Sequence, residues 1–407
     1  MRILVQNEWR IRAIFITIIL MLGSLFVSRA LLSVSLMLFI AITVIHAKFT
    51  RQFRRFLQTP LLSGLSFLFF IPLISGLWST DINEWLDVAV KKLPFLLLPL
   101  AFAGDWQLKE KEWRMIAYSF ILFTVLACSW SLIMYLREAD SINESYLRAK
   151  TIPVPLDDDH VRFSWLVCIA IIVSEQLIEK FTGSERWWLV AAVIFLAAYL
   201  HVLSARTGLA MLYFFACCYA LYKIKNKPRL SIAIIIALIV MLVTGWFCFP
   251  TFSNRIKYNL YDLSFVKNNE YRAGTSDGNR VASFKAGWAL IEQHPLIGTG
   301  AGDIWNEVSA WYDRNMKGLQ ESDKLYPSNE WLVHGCMAGL PGMIIFTGII
   351  FLPLYIRNIK QRFFWTMFHV TAIAGFMIET SLEMQHGIFI YTFFGLWWWK
   401  WHCLQES

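Results

Sequence analysis

The sequence predicts an all-α integral membrane protein with about twelve transmembrane helices and one long outer loop. Of its 407 residues, 57% are hydrophobic and 16% are charged, whereas roughly a quarter of an ordinary soluble domain is charged. The apolar residues form long blocks instead of a periodic pattern, and basic residues cluster between those blocks. These three observations indicate a single polytopic membrane domain over residues 1–407.

Twelve apolar segments approach the length of about 20 residues that crosses a bilayer as a helix. The fourth segment is the weakest, because Lys91 and Lys92 interrupt it. If it does not span, every later loop changes side. The predicted spans are residues 13–28, 30–47, 60–78, 86–104, 115–136, 160–178, 187–204, 207–222, 230–249, 330–356, 364–379 and 387–402.

The basic residues indicate the orientation of the chain. With the N-terminus inside, 20 of the 37 lysines and arginines lie in inner loops and 8 lie in short outer loops. This excess follows the positive-inside rule and predicts that both termini are cytoplasmic. The net charge of +8 is then explained by the basic residues of the inner loops, so we expect no nucleic-acid partner.

Residues 250–328 form the long outer loop between the ninth and tenth predicted spans. Loops of this length usually carry function. Within it, a helix start at Asp277 is followed by apolar residues at helical spacing and then by Pro295. We expect an amphipathic helix near the membrane surface. Its apolar residues are Val281, Phe284, Trp288 and Ile291.

Charged residues are scarce within the predicted spans, but several ionisable groups lie at their outer ends. Snorkelling to the interface explains single cases, yet six groups at one face indicate a site. They are His160, Arg162, Arg206, Glu379, Glu383 and His386. Arg206 lies in a short turn between two apolar runs, where its planar donor fork suits a phosphate or diphosphate. The alternative is an arginine that caps helix carbonyls or meets lipid headgroups.

Arg280 is the second arginine of interest, because on a helix it shares one side with Phe284 and Trp288. A cation near a helix start is unfavourable unless an anion lies nearby. An ordinary salt bridge is the alternative explanation. Two arginines that face one outer pocket would form a clamp for a lipid-linked diphosphate.

Several short motifs follow one another in a recognisable order. They are Ser204-Ala205-Arg206-Thr207-Gly208, Arg280 with Trp288, His294-Pro295-Leu296-Ile297-Gly298-Thr299-Gly300, Ser328-Asn329, and Gly339-Leu340-Pro341-Gly342. In content and order they resemble the O-antigen ligase and polymerase superfamily of bacterial membrane glycosyltransferases. The resemblance covers roughly residues 160–400, and it agrees with twelve spans and one long outer loop.

The resemblance implies transfer of an oligo- or polysaccharide from undecaprenyl diphosphate at the periplasmic face of the bacterial inner membrane, with no metal ion or cofactor. The favoured acceptor is lipid A-core. A growing glycan would make the protein a polymerase, and a protein acceptor would make it an oligosaccharyltransferase. Arg206 and Arg280 match the family arginines thought to hold the diphosphate. A groove open sideways to the membrane lipids would admit the polyprenyl chain.

The sequence departs from the family at Ser328. The family motif is His-Asn, nine residues and Gly-x-x-Gly; here Asn329 and Gly339 to Gly342 fit, but serine replaces the histidine. A serine hydroxyl cannot directly replace a histidine base. Three explanations stay open: His160 or His334 is the base, the diphosphate leaving group makes a strong base unnecessary, or the acceptor differs. Of the two histidines, His160 is the better substitute.

The predicted catalytic residues are therefore Arg206, Arg280, His160 and Asn329, and the predicted substrate-binding residues are Arg162, Ser328, Trp288, Glu379 and Glu383. On a helix, Glu379 and Glu383 would share one face and could orient the arginines or receive a hydroxyl proton. The aspartates at 157–159 could hold a divalent cation, but a helix N-cap is the favoured interpretation. The glycines at 298–302 are interpreted as a turn and not a dinucleotide loop.

Two other classes of protein compete with this prediction. A secondary transporter or flippase would place ionisable groups near the bilayer midplane, often on broken helices in repeated halves. The sequence shows neither feature. A purely structural membrane protein would leave the positions of Arg206 and Arg280 without a reason.

Overall fold

The structure is a computed structural model that describes residues 2–46, 48–148, 150–268, 276–316 and 319–403. Side chains are not described for residues 2–7, 148 and 265–268. Residues 269–275 and 317–318 of the predicted outer loop, and the C-terminal residues 404–407, lie outside the described residues.

The described residues fold as α-helices joined by turns and short 3₁₀ segments, which confirms the all-α prediction. Their one β-bridge, Ile359 with Cys403, is isolated. The helices are α1 Arg2–Val27, α2 Arg29–Val44, α3 Phe49–Gln58, α4 Pro60–Ser75, α5 Ile82–Lys92, α6 Pro94–Phe102, α7 Glu110–Arg137, α8 Ala139–Ser145, α9 His160–Ile178, α10 Ser184–Leu203, α11 Arg206–Lys223, α12 Pro228–Cys248, α13 Pro250–Asn268, α14 Ser276–Gln293, α15 Ile304–Asn315, α16 Glu330–Phe351, α17 Arg362–Phe376 and α18 Gln385–His402.

All twelve predicted spans are helical over most of their length. Within the described ranges, six helices are long and apolar enough to cross a membrane, and a seventh candidate is the bent pair α2 and α3. The six are Glu8–Val27, Glu110–Arg137, His160–Ile178, Ser184–Leu203, Pro228–Cys248 and Glu330–Tyr355. These helices support a multi-pass membrane protein, while the number twelve and the side of each loop stay predictions.

The fourth predicted span consists of two short helices, α5 and α6. Pro94 is the first residue of α6, a position where its missing N–H costs little. Lys92, which weakened this span in the sequence, is buried, with its ammonium 2.5 Å from the carboxylate of Glu383. Lys91 pairs with Asp87 at 2.5 Å on an exposed face. The two lysines are therefore accommodated by ion pairs, and neither is buried without one.

The chain divides into two compact units. The first unit comprises Met1–Ile14, Leu36–Gln107 and Asp262–Ser407; in it α4 packs on α6 and α16, α18 packs on α6, and α14 packs on α16. The second comprises Phe15–Ser35 and Leu108–Tyr261; in it α9 packs on α7, α10 and α11, and α11 packs on α12. A single domain over the whole chain stays a prediction.

Helix α16 is broken at Gly339, which has φ 67° and ψ −164°. Glycine adopts this conformation most readily, and a Cβ atom there would lie 2.5 Å from the carbonyl oxygen of Pro295. The carbonyl of Cys336, which the break releases, accepts the N–H of Thr299 at 2.7 Å. The His-Pro motif and the Gly-Leu-Pro-Gly motif, which are separate in sequence, therefore contact each other.

The turn that follows is anchored by Asp303, whose carboxylate accepts the N–H and hydroxyl of Thr80 at 2.7 and 2.6 Å and the N–H of Asp81 at 3.0 Å. Burial alone would raise the pKa of Asp303, but these hydrogen bonds outweigh it and lower the pKa. The turn is thereby fixed to the start of α5.

Asp303→Asn is expected to lower Tm, because one carboxylate oxygen becomes an amide that cannot accept these bonds; the cost is about 1–3 kcal/mol. Since the folded pKa of Asp303 is lowered, the wild-type contribution is complete above the ordinary pKa of about 4 and is lost as pH falls through the folded value. Thermal unfolding at pH 7 and pH 3 should therefore show a larger difference between the two proteins at pH 7. An equal difference at both pH values would contradict the assignment.

Candidate active site

A left-handed residue and a close helix contact position Arg206 in the second unit. Ser204 ends α10 with φ 50° and ψ 32°, and its hydroxyl donates to the carbonyl of His201 at 2.6 Å. A Cβ atom at Gly208 would lie 2.4 Å from the Cβ of Ser164, so the glycine of the motif allows α11 to pack closely on α9. Arg206 is consequently fixed as the first residue of α11, where it is half-buried.

Arg255, on α13, is a second arginine near Arg206 that the sequence analysis missed. Its guanidinium lies 4.9 Å from the centre of the Tyr146 ring and donates to the carbonyl of Lys150 at 2.8 Å. The Tyr146 hydroxyl donates in turn to the carbonyl of Leu203 at 2.9 Å, just before the Arg206 turn. Burial lowers the pKa of Arg255, and the charge of Arg206 lowers it further. Two cations therefore lie close enough to repel each other, an arrangement that a bound anion would relieve.

The segment before α9 places His160 and Arg162. Residues 156–158 are all left-handed, with φ of 66°, 56° and 61°, and Asp159 follows as the N-cap of α9. The Asp159 side chain accepts the N–H of Arg162 at 3.1 Å and pairs with its guanidinium. His160 is the first residue of α9 and is half-buried. This segment therefore holds His160 at the end of α9 where the sequence predicted an outer site.

The three aspartates of this segment bind three different protein groups. Asp157 forms an ion pair with Arg29, Asp158 accepts the N–H of Val154 at 3.0 Å, and Asp159 caps α9. The interpretation of this run as a helix cap thus holds for Asp159. Among the residues that the structure describes, no group of three or more His, Cys, Asp or Glu side chains is arranged to hold a metal ion.

An apolar cavity of about 570 Å³ adjoins the same segment in the second unit. Aromatic residues of α1 and α7 line it, including Phe26, Phe123 and Trp130, and Leu156 and Asp157 close one side. The cavity is therefore mostly apolar, and one of its lining residues, Asp157, precedes His160 by three positions in the chain. A cavity of this composition suits an isoprenoid or acyl chain.

In the first unit, Arg280 forms an ion pair with Glu379. Arg280 lies in the second turn of α14, and 28% of its side chain and 17% of that of Glu379 are exposed. The sequence left open a ligand anion or an ordinary salt bridge for Arg280, and the structure has a salt bridge. Because both side chains remain partly exposed, the guanidinium is accessible to a second anion.

Helix α14 spans Ser276–Gln293, so the predicted helix is confirmed, but its buried face differs from the predicted apolar stripe. Of the predicted stripe only Ile291 is buried; most of the other buried residues are small, and α16 packs closely on them, since a Cβ atom at Gly287 would lie 3.3 Å from the Cβ of Leu332. Trp288 is 48% exposed, and its indole N–H donates to Glu292 at 2.7 Å. Trp288 therefore faces outward, and its role in substrate binding stays a prediction.

Ser328 and Asn329 are tied to the protein by several hydrogen bonds. The buried Ser328 hydroxyl lies 3.0 Å from that of Ser283 on α14. The Asn329 side chain caps α16 by accepting the N–H groups of Trp331 and Leu332 at 2.8 and 3.2 Å. Its amide also donates to the carbonyl of Met377 at 2.7 Å. Both residues thus join α14, α16 and the end of α17.

The expectation that Glu379 and Glu383 share one helical face is wrong. Helix α17 ends at Phe376, and Glu383 belongs to a 3₁₀ turn, Ser381–Glu383. The fully buried Glu330 stabilises this turn, because its carboxylate accepts the N–H of Leu382 at 2.5 Å. The two glutamates consequently have different partners, since Glu383 binds Lys92. Glu330 and Lys92 are therefore part of this region, although the sequence analysis did not single them out.

His334, the alternative base, is 1% exposed within α16. Its ring stacks on Phe346 at 4.1 Å, and its Nδ1 lies 2.8 Å from the carbonyl oxygen of Glu330. A histidine so enclosed cannot reach an acceptor hydroxyl at the surface. His334 is therefore a poor candidate for the base, and the choice of His160 stays a prediction.

The site residues divide between the two units. Arg206, Arg255, His160 and Arg162 lie in the second unit, and the remaining ones lie in the first. A clamp formed by Arg206 and Arg280 stays a prediction. The members in the first unit are Arg280, Trp288, Ser328, Asn329, Glu379 and Glu383.

Taken together, the fold and these residues define a multi-pass helical membrane protein with partly exposed arginines in each unit. Residues 190–347 match the family model described as O-antigen ligase, which confirms the resemblance to that superfamily. The matched segment contains Arg206, Arg280, Trp288, Ser328 and Asn329. At this level the chain is similar to membrane glycosyltransferases that act on lipid-linked glycans and glycan acceptors. No curated protein sequence matches the chain.

Proposed function

We propose that this protein transfers an oligo- or polysaccharide from undecaprenyl diphosphate to lipid A-core at the periplasmic face of the bacterial inner membrane. The observation that carries the proposal is the O-antigen ligase match, because residues 190–347 include both Arg206 and Arg280. A polymerase that extends a glycan, or an oligosaccharyltransferase that modifies a protein, uses the same donor chemistry. The acceptor distinguishes these three activities.

In the proposed reaction, the acceptor hydroxyl attacks the anomeric carbon of the donor sugar. The bond between that carbon and the diphosphate oxygen breaks, the electron pair goes to the diphosphate, and the hydroxyl loses its proton. Arg206, Arg255 and Arg280 stabilise the charge that accumulates on the diphosphate. The apolar cavity beside residue 157 holds the polyprenyl chain. No metal ion or cofactor takes part in this mechanism.

His160 is the proposed base, because it is the half-buried first residue of α9 and follows the segment of residues 155–157 that lines that cavity. Ser328 and Asn329 serve as positioning residues, since their side chains already bind Ser283, Met377 and the start of α16. Departure of diphosphate without a strong base is the alternative. His160→Ala distinguishes the two mechanisms: loss of kcat supports a base, and an unchanged rate supports unassisted attack.

The deciding experiment gives purified protein an undecaprenyl diphosphate glycan together with lipid A-core, a second glycan or a peptide in parallel reactions. We expect the glycan to be joined to lipid A-core. Extension of the glycan or the peptide would instead assign the polymerase or the oligosaccharyltransferase activity. In proteoliposomes, movement of the donor across the bilayer with no new bond would contradict the proposal in favour of a flippase.

A further inference from the structure

A cationic cavity lies along helix α3 in the first unit, far in sequence from the motifs discussed above. Its volume is about 390 Å³, and Lys48, Arg51, Arg54 and Arg55 line it. The only carboxylate among its lining residues is Asp105, which is 3.9 Å from the ammonium of Lys48. Within the described part of the chain, the three arginines have no ion-pair partner. The cavity therefore carries an excess of positive charge.

The wall of this cavity is built by a buried polar side chain. Gln52 is 3% exposed, and its amide donates to the carbonyl of Leu100 at 2.6 Å, while its side-chain oxygen lies 2.6 Å from the Nε2 of His46. Phe56, one turn later, is 5% exposed. These contacts fix α3 against the end of α6, so the cations are presented by an anchored helix.

Besides the cations and the buried wall, helix α3 has an exposed apolar face. Phe49, Phe53 and Leu57 follow one another at intervals of four residues, and 39%, 43% and 57% of them are exposed. The rings of Phe49 and Phe53 stack at 6.1 Å. An anchored amphipathic helix with aromatic and basic faces is typical of a membrane interface.

We propose that this cavity binds the headgroup of an anionic phospholipid in the cytoplasmic leaflet. The phosphate pairs with the arginines, which form bidentate hydrogen bonds to phosphate oxygens. The acyl chains lie along the stripe of Phe49, Phe53 and Leu57. A soluble phosphate compound would use the cations but would have no contact for this stripe. The site is independent of the proposed glycan transfer, because the predicted topology places α3 on the inner side.

The test measures lipid binding to the purified full-length protein by native mass spectrometry. Phosphatidylglycerol should bind more tightly than phosphatidylcholine. A basic residue near an anionic surface contributes about five-fold in affinity, so Arg51→Gln, Arg54→Gln and Arg55→Gln together should weaken phosphatidylglycerol binding on the order of 100-fold. The matched control removes three exposed cations from the turn after α11 and the first turn of α12 by Lys225→Gln, Lys227→Gln and Arg229→Gln. It should bind as wild type does.

Two further arms identify the source of the phosphate. Phe49→Ser with Phe53→Ser should weaken phosphatidylglycerol binding and leave the binding of inorganic pyrophosphate unchanged. The lipid assignment is overturned if pyrophosphate competes as strongly as the lipid, or if the control variant loses as much lipid as the triple arginine variant. Equal binding of phosphatidylglycerol and phosphatidylcholine by wild type would also overturn it. Unchanged Tm in each variant shows that the fold is retained.

Discussion

Arg206→Ala is expected to lower kcat/KM for the polyprenyl diphosphate donor about 1000-fold, the loss typical of one preorganised group at a developing negative charge. The backbone of Arg206 is held at the first position of α11 by the left-handed Ser204 and by the contact of Gly208 with α9. The residue is therefore fixed at the helix start, where its cation can meet the charge of the leaving diphosphate. Arg206→Lys should recover part of the rate, since it keeps the charge but loses the planar fork. The measurement is steady-state glycan transfer.

Arg255→Ala belongs to the same experiment, with an expected loss of about 10- to 100-fold in donor affinity, the cost of one charge-assisted hydrogen bond. The informative readout is selectivity: binding of polyprenyl diphosphate should weaken more than binding of polyprenyl monophosphate. A merely structural arginine would weaken both alike. Arg186→Ala, an exposed arginine at the opposite end of α10, is the matched control. Full activity in Arg206→Ala would contradict the proposed function. Full activity in Arg255→Ala alone would exclude only Arg255 from the diphosphate site.

Most of the helical architecture could be predicted, because a helix that crosses a bilayer must be apolar over its whole length. The breaks were harder to predict. The interruption of α16 depends on Gly339, and the carbonyls of Cys336 and Met337 that it releases accept the N–H groups of Thr299 and Gly300, more than thirty residues earlier. Sequence periodicity reports local structure, and it carries no information about such a distant partner. The same limit applies to Lys92, whose partner Glu383 lies far along the chain.

The site could be predicted only in part. Arg206 and Arg280 stood out because each is a cation bordered by apolar residues. Arg255 is also a cation bordered by apolar residues, since Phe252, Arg255 and Tyr258 follow one another at intervals of three residues. In the structure all three are buried. That pattern was obscured because Arg255 falls in a long loop with many charges. The pairing of Glu379 with an arginine agrees with one of the two roles that the sequence left open for it. The pairing of Glu383 with Lys92 could not be foreseen, because helix α17 ends at Phe376 and the two glutamates do not share a helix.

Arg280→Ala and Glu379→Gln are expected to shift donor binding in opposite directions. Arg280→Ala removes a cation that the diphosphate would bind, so KM for the donor should rise and kcat/KM should fall about 1000-fold. Glu379→Gln removes the carboxylate that now pairs with Arg280, so the arginine no longer has to exchange partners. Donor binding should tighten several-fold, since a nearby like charge opposes a diphosphate.

The behaviour of kcat in Glu379→Gln separates the two roles that the sequence left open. If Glu379 orients Arg280, kcat stays within a few-fold of wild type while KM falls. If Glu379 receives the acceptor proton, kcat falls by about 100-fold or more, because a general base contributes at least that much. Asp87→Asn is a suitable control, since it removes an exposed carboxylate of α5 that pairs with Lys91, outside the proposed site. A rise in KM for Glu379→Gln would contradict the exchange of partners, because it would mean that the carboxylate helps to bind the donor.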